Sequence, residues 1–99
     1  MAAQLRIYRL DPDRVDEFVE LWREQIVPAR KAAGFKVQGA WVSREEAGFA
    51  WVVGYSGPGT FEEADRAYYE SEARHTIKPA PGDFIVEIDT VMVERVGER

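Results

Sequence analysis

Cysteine is absent from the chain, which excludes disulfides and thiolate metal sites. Histidine occurs once, as His75, so no metal centre built on two or three imidazoles can form, and no metal is expected. Asparagine is absent as well. No apolar run approaches the roughly 18 residues of a membrane span, and Met1-Ala2-Ala3-Gln4-Leu5-Arg6 lacks the apolar core of an export leader. Basic runs are missing too. The net charge is −5 with acids and bases interleaved, so nucleic acid is not an expected partner. A cytoplasmic location is the expectation.

The 45% hydrophobic content is that of a globular chain, so disorder is not expected. Ninety-nine residues suit one domain, expected over 1–99. A chain this small gains from a partner subunit. Leu5, Ile7 and Tyr8 suit a strand, Asp11 an N-cap, and Pro12 a first helical position. Val15, Phe18, Val19, Trp22 and Ile26 recur on one helical face. The helix is expected to reach about Lys31, with Pro28 kinking it or tightening its last turns, and Gly34 ending it.

Phe35 to Arg44 alternates with period two, as a strand does, and Glu45-Glu46-Ala47-Gly48 connects it to a returning strand, Phe49 to Tyr55. Thr60-Phe61-Glu62-Glu63 is a capping box that opens a second helix, expected to run to about Arg74. A final strand is expected from Phe84 to Val93. The order strand, helix, strand, strand, helix, strand predicts an α+β ferredoxin-like βαββαβ two-layer sandwich. Its sheet should be antiparallel, with strand order four-one-three-two.

Both helices then cover one sheet face. Strict alternation groups Phe35, Val37, Trp41, Phe49, Trp51, Val53 and Tyr55 on one side of the hairpin, and the last strand is apolar on both sides. A sheet apolar on both faces is usually covered on both. The expected cover is a second copy, making a homodimer through the open sheet face. Which face holds Trp41 and which Trp51 is left open.

Leu5-Arg6-Ile7-Tyr8, Asp11-Pro12, Glu17-Phe18, Trp22, Ile26-Val27-Pro28 and Gly39-Ala40-Trp41 resemble the NIPSNAP family, of the dimeric α+β barrel superfamily. The similarity is strongest before Trp41 and weaker after Gly57. It implies two sheets packed face to face around a shared barrel, and a family whose molecular function is undefined. Related barrels include haem-degrading and cofactor-independent quinone monooxygenases, which enter by analogy. The haem-degrading relatives use an axial histidine on the second helix together with an asparagine and a tryptophan. His75 matches the first, and the missing asparagine leaves that set incomplete.

The candidate catalytic residues are His75, Tyr8 and Arg6. His75 reads as a helix-end residue offsetting the dipole, or as a haem ligand or general base. Arg6 and Tyr8 share one side of the first strand; Glu87 and Asp89 share one side of the last. They read as cross-strand ion pairs, or as polar groups orienting a small anionic or phenolic ligand in an apolar cavity. Trp41, Trp51, Tyr55 and Tyr68 are candidates for lining a site for an aromatic ligand. No cofactor is expected from the residues, and haem is possible by analogy alone. Gly57-Pro58-Gly59 lacks the lysine of a phosphate loop, and no serine sits in a hydrolase motif. Two functions follow: a homodimeric ligand-binding or interaction module, and a small barrel monooxygenase acting on an aromatic substrate or haem.

Overall fold

The computed structural model describes residues 1–97. Strand β1 (Ala2–Leu10) leads through a 3₁₀ turn, Pro12–Arg14, into a long helical run. Asp11 caps that turn, its carboxylate accepting from the Asp13 N–H at 3.0 Å. The run comprises α1 (Val15–Leu21), a π-helical stretch Trp22–Ile26, and α2 (Val27–Ala32). Pro28 therefore widens the helix rather than tightening it. Its ring would meet the carbonyl of Glu24 in a regular α-helix, and it has no N–H to offer. One turn earlier the ladder shifts, with the Val27 N–H donating to the Trp22 carbonyl. Gly34 ends the run at φ +94°, a left-handed conformation that favours glycine.

Strands β2 (Phe35–Ser43) and β3 (Gly48–Tyr55) form the hairpin. The left-handed residue of its turn is Ala47, at φ 51°, not the neighbouring Gly48. Helix α3 (Phe61–Glu70) starts in the expected capping box: the Glu63 N–H donates to the Thr60 hydroxyl at 3.1 Å, and the Thr60 N–H to the Glu63 carboxylate at 3.0 Å. Ser71 breaks this helix in an extended conformation, and a short α4 (Glu72–His75) follows. Strand β4 (Ile85–Val93) closes the fold, with Phe84 just outside it.

The sheet is antiparallel throughout, in the order β2-β3-β1-β4. This is the ferredoxin-like α+β plan. The helices pack on the face carrying Tyr8, Leu10, Phe49, Trp51 and Val53, where Phe18 is completely buried. Phe18 meets Tyr8 and Phe49 edge-on, at 5.7 and 5.2 Å between centroids. Such pairs add about 0.5–1.5 kcal/mol each beyond the area they bury. No helix of the described residues is long and apolar enough to cross a membrane.

Two bulges overturn the simple alternation. In β2, Val37 pairs with Val53 but Gly39 pairs with Val52, so one extra residue sits between them. Every side chain beyond that point changes face. Trp41, opposite Ala50, therefore lies on the open face, away from Phe35, Val37 and Trp51. Its ring lies across Gly39, where an added Cβ would come within 2.7 Å of it. A second bulge lets Arg9 pair with Glu87 and Leu10 with Ile85. Ile85 thereby joins Ile88 on the helix side of the sheet.

Candidate functional site

Side chains on β1 alternate, so Arg6 and Tyr8 both point under the helices, and both are buried. On β4 the residues opposite them are Thr90 and Ile88. Glu87 and Asp89 face the other way, which corrects the expected pairing with Arg6 and Tyr8. Glu87 instead meets Arg9 at 3.1 Å on the exposed side.

Arg6 thus has no carboxylate partner among the described residues. Its Nε donates to the Tyr8 hydroxyl at 2.8 Å, Nη1 to the Gln4 amide oxygen at 2.7 Å, and Nη2 to the Tyr69 hydroxyl at 2.6 Å. Burial by itself lowers the pKa of this guanidinium. The electron-rich oxygens of Tyr8 and Tyr69, the hydrogen bond to Tyr8, and Asp65 outweigh that effect and hold it above its ordinary value. Arg6 is a fixed buried cation. Trp51 adds an indole N–H donating to the same Tyr8 hydroxyl at 3.0 Å.

Arg30, on α2, is 1% exposed. Its guanidinium carbon lies 4.0 Å from the Tyr68 ring centroid and 4.7 Å from that of Phe35, a cation–π enclosure. Nη1 donates to Asp65 at 2.7 Å and Nη2 reaches the Tyr69 hydroxyl at 3.5 Å, while Nε has no partner. Tyr68 is buried, and burial pushes its phenol above the usual range although Arg30 and Arg74 pull the other way. The break at Ser71 turns the chain so that Arg74 lies 5.3 Å from the Tyr69 ring.

Between these groups is an open cleft of about 310 Å³. Arg6, Arg30, Arg74 and the rings of Tyr8, Trp51, Tyr68 and Tyr69 line it, with Ile26, Pro81, Gly82, Ile85 and Ile88. The structure brings together the sequence candidates Arg6, Tyr8, Trp51 and Tyr68. It does not bring His75 to them: that side chain is exposed on α4 and outside the lining. Trp41 borders a separate hollow on the open sheet face, with Val52 and Val93. Tyr55 lies outside both, its hydroxyl donating to the Pro58 carbonyl at 2.8 Å. Of the aromatic lining candidates Trp41, Trp51 and Tyr55, only Trp51 reaches the cleft; the β2 bulge puts Trp41 on the other face.

Tyr69 borders the cleft beside Tyr68, as the adjacent pair on the second helix suggested, whereas sequence reading missed Arg30 and Arg74 as lining residues. Arg30 carried a signal: it falls four residues after Ile26, where the helix stripe calls for an apolar side chain. The chain's one imidazole, His75, is exposed and outside the lining, and both cleft phenols that Arg6 touches accept its hydrogen bonds. No cluster of three or more potential metal ligands occurs among the described residues.

The NIPSNAP family model matches residues 3–51, which span β1, the helical run and the hairpin as far as Trp51. No curated protein matches the chain. Among solved structures, an uncharacterized NIPSNAP domain protein from Burkholderia xenovorans superposes with a TM-score of 0.81 at 12% identity, over 97% of this chain and 95% of that one. A NIPSNAP family protein from Agrobacterium tumefaciens gives 0.82 at 16% identity, over 96% and 92%. A putative antibiotic biosynthesis monooxygenase from Nitrosomonas europaea gives 0.70 at 15% identity, over 98% and 100%. At such identities these likenesses speak for the fold alone. With a family match over residues 3–51 and the architecture of the solved NIPSNAP proteins along the rest, the chain is similar to the NIPSNAP family.

Proposed function

We propose that the protein is a homodimeric binding module that holds a small aromatic ligand in the cleft beside Tyr8. The observation that carries this reading is the cleft itself, about 310 Å³ walled by flat rings and isoleucines. That is the size and character of a small-molecule site. Rings at its walls suit a planar guest, which they can stack on or meet edge-on. No haem enters the proposal, because His75 lies outside the cleft. A cytoplasmic location goes with it, supported by the cysteine-free composition.

The dimer is supported by the sheet face opposite the helices. Trp41 is 62% exposed there, and Ile7, Val91 and Val93 share the face. A contiguous apolar patch of this kind marks a contact surface. A second copy covers it symmetrically, leaving the Arg9–Glu87 pair toward the rim.

The test is saturation-transfer NMR with small naphthalene derivatives, on wild type and on Ile88→Trp. Ile88 is half-exposed on the edge strand, so a larger ring there reaches the cleft without displacing core side chains. Transfer in the wild type, lost in the variant at unchanged dimer mass, is the expected result. Equal transfer in both, or none in wild type, overturns the ligand reading.

The second reading, a small monooxygenase, draws on the Tyr8 hydroxyl standing beside the void. Oxygen uptake with a hydroquinone, sensitive to Tyr8→Phe, is its measurement.

A further inference from the structure

We propose that the ligand of this cleft is an anion, an aromatic carboxylate whose oxygens sit on Arg6. The inference rests on the ligand-binding reading and adds the chemical class of the guest.

The argument begins with charge. The chain carries a net −5, yet three arginines and no carboxylate line the cleft. Asp65 pairs directly with Arg30 and acts on Arg6 only at longer range. Arg6 and Arg74 have no ion-pair partner among the described residues. Burying a guanidinium against neutral oxygens forfeits the hydration of a full charge. The compensating charge is what the cleft lacks, and the open side of the cleft is where it can enter.

Hydrogen-bond bookkeeping gives the same answer. Arg6 has five N–H donors and uses one on Nε, one on Nη1 and one on Nη2. One N–H remains on each terminal nitrogen, enough in number for the two oxygens of a carboxylate. The Tyr8 hydroxyl accepts from both Arg6 and Trp51, which occupies its two lone pairs and leaves its O–H to donate. Tyr69 likewise accepts from Arg6, and neither phenol has an acceptor for its own proton among the described residues. Arg30 Nε is a further buried donor with no partner. The cleft is thus rich in donors and poor in acceptors, a set complementary to an oxyanion. The walls add specificity: Trp51, Tyr68 and the isoleucines accept a flat apolar body behind the charged head.

The experiment is calorimetric titration of the dimer with 2-naphthoate and with 2-naphthamide, which differ in charge but hardly in shape. Wild type is expected to bind the carboxylate at least about tenfold more tightly, as charge-assisted hydrogen bonds require. Arg6→Gln is expected to remove that preference while retaining the amide. Arg74→Gln, at a partly exposed helix end, is expected to weaken the carboxylate several-fold and keeps the test alive if Arg6→Gln fails to fold. Equal affinities in wild type overturn the anion inference and leave the ligand reading standing. A preference that survives in folded Arg6→Gln overturns the assignment to Arg6. Absence of binding by either compound overturns the ligand reading, and this inference with it.

Discussion

Trp41 and Trp51 stand on paired strands yet on opposite faces of the sheet. Trp51 is 1% exposed beneath the helices, and Trp41 is 62% exposed on the far side. The single extra residue between Val37 and Gly39 separates them. Without it, both indoles would crowd the helix side and the open face would lose its largest apolar group.

Aspartate substitutions at these two positions should therefore behave differently. Trp41→Asp is expected to give a folded, soluble chain of single mass by light scattering at micromolar concentration, against twice that mass for wild type. Trp51→Asp places a carboxylate in the core, where it cannot be hydrated, and is expected to abolish folding by circular dichroism. A wild-type monomer, or a dimer of Trp41→Asp, contradicts the sheet-face assembly.

Arg30 and Asp65 should show strong coupling. Removing Arg30 as Arg30→Met leaves Asp65, itself partly exposed, with no partner and is expected to cost about 1–3 kcal/mol in urea unfolding. Adding Asp65→Leu should recover most of that loss, since an apolar pair of similar volume is often as stable as a buried ion pair. Additive losses in the double variant show that the two side chains act independently.

Truncating Phe18 tests the aromatic core directly. It is completely buried between Tyr8, Phe49 and Phe84, so Phe18→Ala is expected to lose about 3–5 kcal/mol, read as a lowered urea midpoint. A loss below about 1 kcal/mol excludes this packing.

Alkaline pH should act through Tyr68. Burial raises its pKa in the folded state, so the folded chain favours the neutral phenol. The associated stability is complete below the unfolded value of about 10 and is lost as pH rises through the higher folded value. Wild type is expected to lose urea resistance above about pH 10 more steeply than Tyr68→Phe. Parallel losses in the two proteins rule out Tyr68 as the source.

The sequence by itself determined the element order, the caps and the strand order, because those depend on local periodicity and on few ways of connecting six elements. Thr60 and Glu63 form their box as the spacing requires, and β1 lies between β3 and β4 as short connections demand. Tertiary structure alone decided the faces and the cleft. A bulge shifts the side-chain phase by one residue and leaves no mark in a period-two pattern, so Trp41 read as a neighbour of Trp51. Arg6, Tyr69 and Arg30 meet across 63 and 39 positions of chain, a proximity that no local pattern encodes. His75 was a site candidate through the likeness to haem-degrading barrels with a histidine on their second helix, but the helix breaks at Ser71 and the imidazole on α4 is exposed. Residue chemistry is written along the chain. The direction each group faces comes from long-range packing, and in this protein that packing turned three arginines toward one cleft.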